Sequence, residues 1–96
     1  MNFSDKLFCT KKGYIHRKII NEDVLISVGS GIADFNGYIS LNSTASFLWD
    51  MLKEAKSIQE LSEALAEEFD VSLDEAKTDV NEFILMLLDK GMLEEK

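Results

Sequence analysis

The 96-residue sequence has no proline, one cysteine, one histidine and one tryptophan. Each scarcity excludes something. The lone Cys9 cannot close an internal disulfide, which suits a reducing cytoplasm. The lone His16, in a strand-like run beside Arg17 and Lys18, has no carboxylate or cysteine partner that sequence spacing reveals. Metal centres and nucleophilic catalysis both need clustered ligands or relays, so neither is expected. No apolar run approaches the ~18 residues of a membrane span. The opening "MNFSDKLFCTKKG" has scattered charges and no apolar core of a secretion signal. The segment "GSGIADFNG" does not open a helix with phosphate-cradling spacing, so nucleotide binding is weakly supported. From these absences we expect a non-catalytic cytoplasmic chain, a single domain spanning residues 1–96, without a membrane span.

Cations are scarce in one half only. Residues 1–56 hold seven Lys/Arg against six Asp/Glu, and residues 57–96 hold three Lys against twelve Asp/Glu. Binding a phosphate lattice requires the opposite balance, which argues against nucleic acid at the acidic half.

Strand patterning fills the first half, over about 14–41. "YIHRKII" (14–20) and "VLISV" (24–28) are rich in β-branched residues and are separated by the turn-like "NED". A third run, "FNGYISL" (35–41), places Phe35, Ile39 and Leu41 on one face. In the second run, Val24, Ile26 and Val28 are read as the inward face. Helical patterning fills about 43–91. Asn42 or Ser43 caps a first helix carrying Ala45, Leu48, Trp49 and Leu52 at helical spacing. Ser57 and Glu60 form a capping box for a second helix burying Ile58, Leu61 and Leu65. Ser72 and Glu75 repeat the box for a third, and Gly91 is its left-handed stop. The expected fold is α+β and winged-helix-like: a three-stranded antiparallel sheet followed by three helices.

The third helix carries "FILMLL" (83–88), apolar on every side. A wheel of 100° per residue puts Ala76, Val80, Phe83 and Leu87 in the core stripe with Ile84 on its flank. Met86 and Leu88 fall on opposite shoulders, and Leu85 points away. The third strand, Gly37 to Leu41, has no charge, whereas edge strands usually carry one to prevent unwanted pairing. An open, uncharged edge beside an apolar helix suits an extended peptide that adds as a further strand. A second reading has the chain's own N-terminus covering that edge.

The order and spacing of "FNGYISLNSTASFLW", "SIQELSEALAEEFDVS" and "DVNEFILMLLDKGML" resemble the PqqD family, from about Lys12 to Leu93. That resemblance implies a recognition element of ribosomal peptide natural-product (RiPP) pathways, without catalysis or cofactor. It implies that a precursor's leader peptide binds as an antiparallel strand on the third strand, in the cleft with the third helix. A modifying enzyme, often a radical SAM maturase, then acts on the presented peptide. By position, peptide binding falls on Gly37, Tyr38, Ile39, Ser40 and Leu41 and on Val80, Phe83, Ile84 and Leu87. Relatives more often carry charge where this chain has Leu85, Met86 and Leu88. This surplus is read as a protein interface, for the maturase or for a second copy in a homodimer.

Two other functions compete. One is a winged-helix DNA-binding regulator, whose recognition helix at 72–90 carries five acidic residues and two lysines, the wrong sign for DNA. The other is a structural dimerisation domain using "FILMLL" as its interface.

Overall fold

The computed structural model describes residues 6–27 and 38–96. Val28, the glycine segment 29–31, Phe35 and Gly37 lie outside the described residues. The elements are β1 (Leu7–Thr10), β2 (Tyr14–Ile19), β3 (Glu22–Ser27), β4 (Tyr38–Leu41), α1 (Ser43–Met51), β5 (Lys56–Ser57), α2 (Ile58–Phe69), α3 (Leu73–Asp89) and β6 (Leu93–Glu95). The strands make two antiparallel sheets, ordered β2-β3-β4 and β5-β1-β6. The first is the expected meander, with β2 and β4 at its edges. The second was not anticipated. No helix among the described residues is long and apolar enough to cross a membrane.

Local chemistry accounts for the helix ends. Asn42 caps α1 by accepting from the Ala45 amide at 2.8 Å. The Ser57–Glu60 box is complete, with the Glu60 amide donating to Ser57 Oγ at 3.0 Å and the Ser57 amide to Glu60 Oε1 at 2.9 Å. At α3, the Glu75 amide donates to Ser72 Oγ at 3.1 Å, the serine half of the expected box. Gly91 adopts φ +72°, its amide bonds Leu88 O, and the Met92 amide bonds Leu87 O. This pair of bonds is the Schellman arrangement, and it turns Met92 into the core at zero exposure. Between α2 and α3, Asp70 takes the left-handed conformation that reverses the chain in "FDVS".

The core joins Leu48, Trp49 and Leu52 of the α1 region, Leu61 and Leu65 of α2, and Ala76, Val80, Phe83, Ile84 and Leu87 of α3. Leu25, Leu41 and Phe8 complete it from the sheets. Each fully buried Leu contributes roughly 1.5–3 kcal/mol through removal from water.

Three expectations need correction. The inward face of β3 carries Asp23 and Leu25, not Val24 and Ile26. Leu25 is opposite His16 and Ile39 in the register and belongs to the core, whereas Val24 is buried on the other face. Strand phase was ambiguous because "VLI" is apolar at consecutive positions. The β2–β3 connection is Ile20-Asn21, because Ile19 pairs with Glu22, so Glu22 and Asp23 belong to the strand. Ile20 there holds φ 58°, a strained conformation for a β-branched residue, at 89% exposure. Cys9 is buried in β1, its thiol directed at Glu94 Oε2. Finally, residues 7–10 pair with β5 and β6 and do not cover β4.

Candidate functional site

β4 ends in Leu41-Asn42, where the Asn42 cap turns the chain directly into α1. α3 lies across from both. Together they bound a groove of about 350 Å³, lined from β4 by Ile39, Ser40 and Leu41. Asn42, Thr44, Ala45 and Leu48 line it from α1, and Asp79, Glu82, Phe83 and Met86 from α3. Among the described residues β4 pairs with β3 alone, so its other edge offers backbone groups that no described strand takes up.

The α3 wall follows the helix repeat. Asp79, Glu82, Phe83 and Met86 are spaced i, i+3, i+4, i+7, one stripe about 90° around the helix from the core stripe, with Phe83 shared by both. Phe83 is 9% exposed and Leu41 6%, forming the apolar floor. Met86 is half-buried, while Asp79 and Glu82 are exposed. Within the groove Asn42 is fixed by bonds to Ala45 N and Thr44 Oγ1, so that corner is rigid.

Of the residues assigned from sequence, Ile39, Ser40, Leu41 and Phe83 line the groove. Tyr38 lies in β4, and Gly37 is outside the described residues. Val80, Ile84 and Leu87 are core residues with at most 1% exposure, without surface to offer a ligand. The surplus apolar set separates. Met86 belongs to the groove, Leu88 is half-buried against the core, and Leu85 alone is open, at 53%. Sequence reasoning missed Asn42, Thr44, Ala45, Leu48, Asp79 and Glu82. The signal for Asp79 and Glu82 was available, since they stand one helical turn from Met86 and Phe83.

His16 is not partnerless, as its sequence neighbours suggested. Its Nδ1 lies 2.8 Å from Asp50 Oδ1 and its Nε2 3.0 Å from Asp23 Oδ1, tying β2 to β3 and to the end of α1. An ionised carboxylate accepts only, so both bonds are made together by the imidazolium, in which each ring nitrogen carries a proton. Burial opposes the charged ring, but the bonds to Asp50 and Asp23 outweigh it and raise the His16 pKa above its ordinary 6.5. The cluster leaves neither ring nitrogen free to act as a base. It is a structural clamp.

A three-stranded sheet with one open edge beside α3, followed by three helices, defines an α+β, winged-helix-like domain. The profile of the family described as coenzyme PQQ synthesis protein D (PqqD) matches residues 22–93, and the chain belongs to that family. No curated protein matches it. Among solved structures it is similar to TbiB1, determined in complex with the TbiA(beta) leader peptide, at 26% identity and TM-score 0.69, over 90% of this chain and 94% of that one. It is also similar to the PqqD truncation of Methylobacterium extorquens PqqCD, described as a functional and stand-alone RiPP recognition element. There identity is 18% and TM-score 0.73, over 98% of this chain and 94% of that one. The second likeness speaks for the fold alone.

Proposed function

We propose that this chain is a peptide-binding recognition module, which takes the leader of a ribosomally made precursor peptide as an added strand on β4. The carrying observation is that the edge of β4 that no described strand pairs with opens onto the α3 groove. Membership of the PqqD family and the likeness to a leader-bound protein support it. The binding residues we assign are Tyr38, Ile39, Ser40 and Leu41 of β4 with Phe83 and Met86 of α3.

The backbone alone is insufficient for tight binding. A four-residue strand alternates its polar groups, so β4 offers about two N–H and two C=O on its free edge. Four ladder bonds at a net 0.5–1.5 kcal/mol each supply roughly 2–6 kcal/mol, below the ~8 kcal/mol of a micromolar complex. Side chains seated between Phe83, Met86 and Ile39 supply the remainder. The captured peptide is then presented to a separate modifying enzyme, of the radical SAM class or another maturase. We place a contact with that enzyme or a second copy at Leu85, the part of the apolar surplus that neither core nor groove uses. DNA binding is disfavoured by Asp74, Glu75, Asp79, Glu82 and Asp89 on α3.

Proline at Ile39 or at Ser40 tests strand addition. One of these adjacent amides donates to β3 and the other faces the free edge. One variant therefore keeps the fold and loses peptide binding in a calorimetric titration with the co-encoded leader. Full affinity in both folded variants would falsify strand addition.

A further inference from the structure

The α3 wall of the groove is polarised along its length. Its first two residues, Asp79 and Glu82, are carboxylates; its last two, Phe83 and Met86, are apolar. Neither carboxylate forms an ion pair or side-chain hydrogen bond with any described residue, as holds for the other carboxylates of α3, but these two alone line the groove. Among the described residues, the groove lining contains no Lys or Arg. A strand entering this cleft therefore meets two unneutralised negative charges on one side and an apolar floor on the other.

The spacing adds a register. From Asp79 to Met86 is seven residues, about 10 Å along the helix at 1.5 Å each. Same-face side chains of a strand recur about every 6.8 Å. The stripe thus faces two successive same-face side chains of an added strand. One lies over Phe83 and Met86, the other between Asp79 and Glu82.

We propose that the groove selects cationic peptides: segments with a Lys or Arg two positions from a large aliphatic or aromatic residue, the cation between Asp79 and Glu82 and the apolar side chain on Phe83 and Met86. Asp79 and Glu82 are the residues that set this specificity. The inference rests on the strand-addition reading of the groove and gives the class of peptide that site takes. The carboxylates act mainly by steering and by rejecting acidic segments, as exposed charges at a binding rim do.

The test is display selection of short random peptides on the wild-type protein and on an Asp79→Lys, Glu82→Lys double variant. Groove binders are defined by amide-resonance shifts at residues 38–41 and 79–86. Wild type is expected to enrich Lys/Arg two positions from a large apolar residue, and the double variant to enrich Asp/Glu at that place. Replacing the peptide cation by Ala weakens wild-type binding about fivefold at low ionic strength, and high salt removes most of the difference. The milder Asp79→Asn, Glu82→Gln pair, which keeps side-chain shape, abolishes the salt sensitivity and covers the case where the lysine variant misfolds. Groove binders without a basic bias, or the same motif selected by both proteins, overturn the charge rule and leave strand addition standing. Selected peptides that shift no resonance in β4 or α3 overturn both.

Discussion

Replacing His16 with Gln isolates the clamp between the sheet and α1. In the wild type the ring donates to Asp23, which is 21% exposed, and to Asp50, which is 50% exposed. Hydrogen bonds to charged partners contribute about 1.5–3 kcal/mol when sheltered, and much less when one partner is half in water. We assign about 1.5 kcal/mol to the Asp23 bond and about 0.5 kcal/mol to the Asp50 bond on that scale. Glutamine keeps the bulk and one neutral donor, so the expected loss at pH 6 is about 1–1.5 kcal/mol. With a urea slope of about 1.2 kcal/mol/M, that moves the unfolding midpoint by roughly 1 M. Lys18, 3.9 Å from Asp23, and Lys53, 3.6 Å from Asp50, remain to hold the carboxylates in either protein. The pH dependence has a definite sign. The His16 pKa is raised in the folded chain, so the folded state holds its proton more tightly than the unfolded one. The clamp's contribution is complete below about 6.5 and is lost as pH rises through the folded value. Urea titrations of both proteins at pH 6 and pH 9 should show the 1 M gap closing at the higher pH. A gap that stays constant, or widens with pH, refutes the reasoning. Histidine resonance titration measures the folded pKa directly and should place it above 6.5.

Three further substitutions test the fold's local chemistry and its open surface. Ser57→Ala removes one bond of the capping box and should cost about 1 kcal/mol, lowering Tm by roughly 4–8 °C in a scanning calorimeter. Ile20→Gly should raise Tm, because relief of an exposed β-branched residue at φ 58° outweighs the added freedom of the unfolded chain; a lower Tm counts against the strain. Leu85→Glu should leave Tm within a degree or two of wild type, since the side chain is half open. It should weaken binding to whichever protein partner uses that face, read by sedimentation of the chain alone and with the modifying enzyme proposed above. Unchanged sedimentation in both mixtures removes Leu85 from any interface.

Helices were legible because their information is local and redundant. Each has a capping side chain and a stripe repeated over several turns, so α3's wheel sorted buried, shoulder and open residues as the fold does. The second sheet was not legible for the opposite reason. β5 is two residues, β6 three and β1 four, too short for alternation to register, and their pairing joins residues 8 and 95 across the whole sequence. No local pattern encodes such a contact. The phase of β3 failed for a third reason: Val24 and Leu25 are both buried, on opposite faces, so period-2 reasoning had nothing to choose between.

The misplaced turn is also why the His16 clamp stayed hidden. With Asp23 read as part of the turn "NED", it was not seen to share a sheet with His16. With Leu25 inward, Asp23 shares the face of His16, and the other carboxylate, Asp50, arrives from the end of α1, 34 positions away. The groove was misassigned for a different reason. The family resemblance carried peptide contacts onto Val80, Ile84 and Leu87 by position, yet a residue sealed in the core has no surface left for a ligand. A cleft between a helix and a strand edge is walled by residues at the border of the two sides. On α3 that border is Asp79, Glu82 and Met86, with Phe83 reaching across from the core. The sequence feature that marks such a wall is therefore a second stripe, offset about a quarter turn from the first and of mixed polarity, rather than the most apolar residues on the helix.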